Sequence, residues 1–326
     1  MNYSSPLLDV RNLEVHFSMF AGIFKAVDGV SFSVEKGETL GIVGESGCGK
    51  TVTALSILRL IPEPPGRIKG GTIYFKQANL LETSRGELRK IRGNKISMIF
   101  QEPMTALNPV LTLGRQIAET LRLHRGLNKK ESWSESVELL RRVGIPSPET
   151  RAGDYPHQMS GGMRQRAMIA MAIACEPELL VADEPTTALD VTIQAQILDL
   201  IQELKEEMGM AVLLITHNFG IIAETAKRTA VMYGGKIVEE ADTGSLLESP
   251  LHPYTRGLLR CLPRIGAKPP KRRQRLYEIS GIVPQLKEDS RGCAFFPRCP
   301  VAKEACRRED PDFIEVEKGH HLRCFV

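Results

Sequence analysis

The sequence predicts an α/β fold with a parallel sheet, and three observations predict it. Short apolar runs of strand length alternate with longer stretches whose apolar residues recur at helical spacing. One such run, Thr39–Val43, leads into a glycine-rich loop that opens directly into a helical pattern. Late in the chain a Gly234-Gly235 pair separates two apolar segments, the mark of a tight hairpin.

Each element follows in order. Residues 13–17 and 30–34 alternate and read as strands ahead of a Lys36-Gly37 turn, and Thr39–Val43 reads as a buried strand. Residues 50–60 carry helical spacing. From Glu102 to about Arg166 the pattern changes to helices and polar loops, with helical spacing over 113–123 and 132–143, so a helical insertion is expected there. A helix over 163–175, a strand over 179–182, a helix over 193–208 and a strand over 211–216 complete the alternation that argues for parallel pairing. After about Leu259 the composition shifts. Residues 268–275, rich in Lys, Arg and Pro, read as a solvated tether, with a contact to acidic lipid headgroups as the sharper alternative. These shifts divide the chain into residues 1–259 and a C-terminal extension, 260–326. No internal repeat is found.

Composition excludes several classes. The chain has 326 residues, with 43 Lys and Arg against 39 Asp and Glu, a balance that does not announce a nucleic-acid binder. Hydrophobic residues at 42% and charged residues at 25% rule out a disordered or fibrous chain. No secretory leader is visible, and no run approaches the roughly 18 apolar residues of a membrane span. A cytosolic protein is expected, reaching a membrane only through a partner.

Two motifs carry phosphate chemistry. Gly44, Glu45, Ser46, Gly47, Cys48, Gly49, Lys50 and Thr51 fit G-x-x-x-x-G-K-[ST] between a strand and a helix. Glycines let backbone N–H groups curl round phosphate oxygens, and the helix N-terminus, running on to Val52, adds partial positive charge. Lys50 supplies a cation to the β- and γ-phosphates, and Thr51 a hydroxyl to Mg²⁺. Downstream, an apolar strand ends in Asp183 and Glu184. Asp183 can hold Mg²⁺ through water, and Glu184 can accept a hydrogen bond from an attacking water. Together these place the chain among P-loop NTPases.

A third motif narrows the class. Ser160, Gly161 and Gly162, between Met159 and Met163, resemble the ABC signature, although Met159 and Met163 replace its usual Leu and Gln. The chain thus resembles the nucleotide-binding subunit of an ABC transporter. The resemblance implies a RecA-like core with an antiparallel β subdomain and a helical subdomain at about 102–166. It implies ATP and Mg²⁺ as ligands, with the Ser160 turn facing the γ-phosphate held by a second subunit. Gln101 resembles the glutamine that touches Mg²⁺ or water and senses the membrane partner. Asp190, in the run Thr187-Ala188-Leu189-Asp190, resembles the loop that crosses the dimer seam. His217 resembles the switch histidine that reaches the γ-phosphate. Phe17 is the aromatic expected to stack on adenine, with Phe20 and Phe24 as rivals and plain core packing as the other reading.

Residues 101–109 and 252–259 look like segments of peptide importers, as does the run GCAFFPRCP at 292–300. That resemblance implies the ATP-binding subunit of a dipeptide or oligopeptide importer, peripheral on the cytoplasmic face of the inner membrane. Its implied partners are a second, paralogous ATP-binding subunit, two transmembrane permease subunits and an extracytoplasmic peptide-binding protein, with no nucleic acid. The alternative is a soluble ABC ATPase acting on ribosomes or DNA.

Four of the seven cysteines, Cys293, Cys299, Cys306 and Cys324, fall in the last 34 residues. In a reducing compartment clustered cysteines are more often metal ligands than disulfides. Their spacing matches neither a zinc ribbon nor the short ferredoxin run. Four thiolates suit a soft metal, and the peptide-importer resemblance implies a 4Fe–4S cluster, with structural Zn²⁺ as the alternative. His320 and His321 are alternative ligands or solvated histidines. The expected role is a staple for a tail with few apolar residues.

Overall fold

The computed structural model describes residues 5–262 and 277–325. The basic stretch at 268–275 lies outside the described residues. The chain forms two compact units. One takes Met1–Leu8, Val34–Thr39 and Phe75–Ile215; the other takes Asp9–Ser33, Leu40–Tyr74 and Thr216–Val326.

The first unit holds three parallel strands in the order Ile96–Ile99, Leu179–Asp183, Ala211–Thr216. All three are buried along their whole length, which is why they read as continuous apolar runs rather than alternating ones. Helices fill the expected insertion. Leu113–Arg125 and Lys129–Arg142 form an antiparallel pair, closed by Gly126 in the left-handed conformation and an Asn128 capping box. Both contact the helix Gly161–Ile173.

The second unit carries the long strands Leu8–Met19 and Gly22–Val34, which lie in one sheet with Gly66–Phe75, Leu8–Met19 in the middle. They outrun the expected 13–17 and 30–34 because their exposed halves carry polar residues without strict alternation. In the other sheet of the fold, Ile314–Glu317, His320–Leu322, Lys236–Asp242, Arg228–Tyr233 and Thr39–Val43 lie side by side in that order. Gly234 and Gly235 make the hairpin turn at φ 52° and 77°, left-handed values that favour glycine. Thr39–Val43 pairs parallel with Arg228–Tyr233.

The C-terminal tail adds strands to this sheet. His320–Leu322 pairs with Lys236–Asp242, and buried Glu239 accepts a hydrogen bond from His320 Nε2 at 2.9 Å. Phe295 is buried among the rings of Tyr233, Tyr254 and His252. His320 is therefore a buried partner of a carboxylate, and the ring of His321 stacks on Phe313. Among the described residues no helix is long and apolar enough to cross a membrane.

Candidate functional site

The glycine loop lies in the second unit. Gly49 caps the helix Lys50–Ile57 at φ 106°. A Cβ there would sit 2.4 Å from the Ala26 carbonyl oxygen, and one at Gly44 would sit 2.2 Å from that of Met232. Both positions therefore require glycine. The helix has no side-chain cap at its start, and its positive end is a natural place for an anion. Ser46, Gly47 and Cys48 complete the turn into that helix, and Thr51 and Val52 lie in its first turn.

Lys50 is only 4% exposed. Its Nζ donates to the carbonyls of Gly44 (2.7 Å) and Glu45 (3.0 Å) and approaches Cys48 Sγ at 3.7 Å. An ammonium buried among carbonyls of its own loop holds the loop closed around it. Burial pushes the Cys48 thiol up, with Lys50 pulling the other way, so Cys48 sits as a neutral, buried side chain.

Two side chains grip this loop that the sequence did not single out. The Tyr254 hydroxyl accepts from the Glu45 N–H at 2.9 Å, and Arg298 pairs with the Glu45 carboxylate at 2.7 Å. Tyr254 falls in the segment 252–259 and Arg298 in GCAFFPRCP, both noted for their resemblance but not for these contacts. His217, just past the strand Ala211–Thr216, belongs to the second unit and is exposed, with Asn218 capping the next helix.

Of the aromatic candidates, Phe17 is half-buried with its ring against the backbone of Gly66, where a Cβ would come within 2.9 Å of it. Phe20 is fully exposed beyond the strand end, and Phe24 bridges Lys287 of the tail.

The acidic strand end lies in the first unit. Asp183 closes Leu179–Asp183 and is 1% exposed. Glu184 takes a left-handed backbone, φ 46°, while its N–H donates to the Ile215 carbonyl at 2.8 Å. A non-glycine residue in that region is held there by its surroundings and redirects its side chain off the strand. Glu184 Oε2 accepts from Gln101 Nε2 (3.1 Å) and Thr187 Oγ1 (2.9 Å). Gln101 and Glu184, 83 positions apart, are thus brought together, and Thr187 joins them.

The signature turn is also in this unit. The Ser160 hydroxyl accepts from the Met163 N–H at 3.3 Å and caps Gly161–Ile173, so the helix starts two residues earlier than expected and takes Gly161 and Gly162 into its first turn. Asp190 caps Val191–Met208 by accepting from the Ile193 N–H at 3.0 Å.

The expectation of a cysteine-rich metal-binding domain is not met as a formed site. Cys293, Cys299, Cys306 and Cys324 are not joined in disulfides, and among the described residues no group of three or more His, Cys, Asp or Glu side chains is placed to hold a metal ion. The Cys293 thiol is pushed up to about 11, first by burial and then by the nearby Cys306, Asp310 and Cys324. Cys299 is raised by burial, with Cys306 adding to it. The donor chemistry suits a soft metal, but the partial burial of Cys293 and Cys299 favours neutral thiols, and the arrangement is one of neighbouring thiols rather than a ligand cage.

Comparison with known proteins follows the same lines. A family described as "ABC transporter" matches residues 27–187, and one described as "Oligopeptide/dipeptide transporter, C-terminal region" matches 238–306. The chain is 55% identical over 321 residues to a probable peptide ABC transporter ATP-binding protein of Sinorhizobium fredii, covering 98% of this chain and 94% of that one. It is 47% identical to the dipeptide transport ATP-binding protein DppD of Escherichia coli, covering 98% and 96%. Among solved structures, the dimeric post-hydrolysis state of the ATP-binding cassette MJ0796 bound to ADP and Pi matches with a TM-score of 0.65 at 28% identity, covering 72% of this chain and 98% of that one. With a whole-chain relative above half identity, a signature turn capping its helix and a glycine loop closed on its lysine, the chain belongs to the ABC transporter family of ATP-binding proteins, in the branch that carries the oligopeptide/dipeptide transporter C-terminal region.

Proposed function

We propose that this chain binds and hydrolyses ATP to drive import of dipeptides or oligopeptides. The observation that carries the reading is the Lys50 ammonium, held inside a glycine loop at the start of an uncapped helix. A triphosphate would take over those hydrogen bonds, trading loop carbonyls for phosphate oxygens, while Thr51, Gln101 and Asp183 would serve Mg²⁺.

Glu184 is the proposed acceptor for the attacking water, positioned by the amide of Gln101 and the hydroxyl of Thr187. His217 and Lys50 would stabilise charge on the transferred phosphoryl group. Ser160, Gly161 and Gly162 would face the γ-phosphate of a second ATP-binding subunit, with Asp190 at the seam. ATP then favours the closed pair, and loss of the γ-phosphate contacts lets it reopen. Phe17 is the proposed adenine-stacking residue.

The working assembly would be this chain with a paralogous ATP-binding subunit, two permease subunits and an external peptide-binding protein, at the cytoplasmic face of the membrane. Names of relatives such as DppD support this reading. None of those named supports the ribosome or DNA alternative.

Glu184→Gln keeps the acceptor site sterically intact and removes its charge. It is expected to bind ATP normally and to lose turnover; near-normal hydrolysis would refute the assignment. Lys50→Ala is expected to lose ATP affinity, and unchanged binding by calorimetry would overturn the loop reading.

For the tail, the finer reading is a 4Fe–4S cluster, or structural Zn²⁺, on Cys293, Cys299, Cys306 and Cys324. What supports it is the donor set and the closeness of these thiols to one another. Its role would be to staple the tail, and no step of hydrolysis runs through it. Anaerobic purification with iron, sulfide and zinc counts is the test; full-length protein lacking all three, with the tail folded, would end that reading.

A further inference from the structure

The guanidinium of Arg298 has all five of its N–H donors engaged. Nη1 and Nη2 donate to the two carboxylate oxygens of Glu45 at 2.7 and 2.9 Å. The remaining donors reach the Tyr233 hydroxyl (3.3 Å), the Ile279 carbonyl (3.0 Å) and the Ser280 carbonyl (2.9 Å). The side chain is 4% exposed, against 31% for Glu45, and it lies over the Tyr233 ring at 5.7 Å. A forked guanidinium meeting both oxygens of a carboxylate makes a strong, directional pair.

Its place matters because of where Glu45 sits. Glu45 is the second residue of the glycine loop, and its own carbonyl accepts from Lys50. A bare carboxylate there would oppose an incoming triphosphate. Glu45 is only partly exposed, so solvent would screen that opposition incompletely. Arg298 cancels that charge, and its fork together with the Tyr254 hydroxyl on the Glu45 N–H fixes the loop at both side chain and backbone.

We propose that Arg298, carried by the C-terminal tail, is a positioning residue for nucleotide: it neutralises Glu45 and so lets the glycine loop accept a polyphosphate. The proposal rests on the reading of that loop as the phosphate cradle. It makes the tail part of the nucleotide site. A chain whose tail is displaced would bind ATP weakly even with every loop residue in place.

The test is a charge cycle on the full chain, titrated with MgATP and MgADP by calorimetry, with thermal unfolding measured in parallel. Arg298→Met leaves Glu45 unpaired and is expected to weaken ATP binding about tenfold, and ADP binding less, because the opposition scales with phosphate charge. Adding Glu45→Gln to Arg298→Met removes the orphaned charge and is expected to bring ATP affinity back to within about threefold of the parent. Arg298→Lys, which keeps the charge without the fork, is expected to fall between. A purely structural contact would lower the unfolding temperature without this rescue or the ATP-over-ADP bias. Loss of affinity that Glu45→Gln fails to restore would overturn the proposal, as would unchanged affinity in Arg298→Met. If Arg298→Met does not fold, Glu45→Gln alone decides: ATP binding equal to or tighter than the parent supports the proposal, and a tenfold loss refutes it. Lys50→Ala separates the two readings. If it loses ATP while Arg298→Met does not, the tail proposal alone fails; if it too binds ATP normally, the loop reading itself is wrong.

Discussion

His252 offers a direct measure of how firmly the tail and the helix Pro253–Arg260 are packed. The ring is 1% exposed, and its Nδ1 accepts from the Tyr254 N–H at 3.1 Å, capping that helix. Protonation would turn this acceptor into a donor and place a cation in a dry site near Arg256. Burial first and the Arg256 charge second lower its pKa from 6.5 to about 3, against a smaller opposing hydrogen bond that the ring donates to the Arg323 backbone. The folded value lies below the unfolded one, so between about 6.5 and 3 the unfolded chain holds more protons and stability falls as the pH falls. At about 1.4 kcal/mol per pH unit, the loss from this residue alone is about 2 kcal/mol by pH 5 and approaches roughly 5 kcal/mol at the bottom of the window. His252→Asn keeps a capping acceptor and has no proton to take up. Urea unfolding of both proteins at pH 7.5, 6.0 and 5.0 reads the difference, with every other titrating group common to the two. The parent is expected to lose about 2 kcal/mol more than the variant between the highest and lowest pH. Parallel losses would refute the claim that His252 is held neutral by burial.

Other perturbations test the loop and the packing beside it. Gly49→Ala forces a side chain into a left-handed backbone and against the Ala26 carbonyl; it is expected to cost at least about 2 kcal/mol in thermal unfolding and to abolish ATP binding. Normal ATP affinity in that variant would show that the loop tolerates a different path. Asp28 feels burial pushing its carboxyl up, yet it is held below its ordinary value by Lys236 at 2.9 Å and Lys25 at 3.5 Å. Its stabilisation is therefore full above about pH 4 and lost as the pH falls through the lower folded value. Asp28→Asn should be less stable at neutral pH and should lose less stability than the parent on acidification from pH 5 to 3; equal acid sensitivity would mean that the ion pair contributes nothing.

Much of this protein is legible in its sequence because the decisive features are local. The glycine loop, the acidic strand end and the Ser160 turn each work through residues adjacent in the chain, and a backbone that must take φ 106° at Gly49 can be written only with glycine. The buried parallel strands announce themselves as unbroken apolar runs because both faces are covered. Helix starts are less legible: Ser160 and Asp190 cap earlier than the apolar spacing begins, since capping is set by hydrogen bonding rather than by hydrophobic period.

What only the tertiary structure decided is contact between residues far apart in sequence. No spacing rule joins Glu45 to Arg298, 253 positions away, or to Tyr254, 209 away. Gln101 and Glu184 meet because parallel strands Ile96–Ile99 and Leu179–Asp183 end side by side, a register that their separate sequences do not contain. The tail is the clearest case. Its cysteines invite a reading as an isolated metal domain, because thiols are conspicuous in a sequence. Its strands instead join the sheet, and one buried arginine reaches the glycine loop, because pairing partners and burial exist only once the chain has closed on itself.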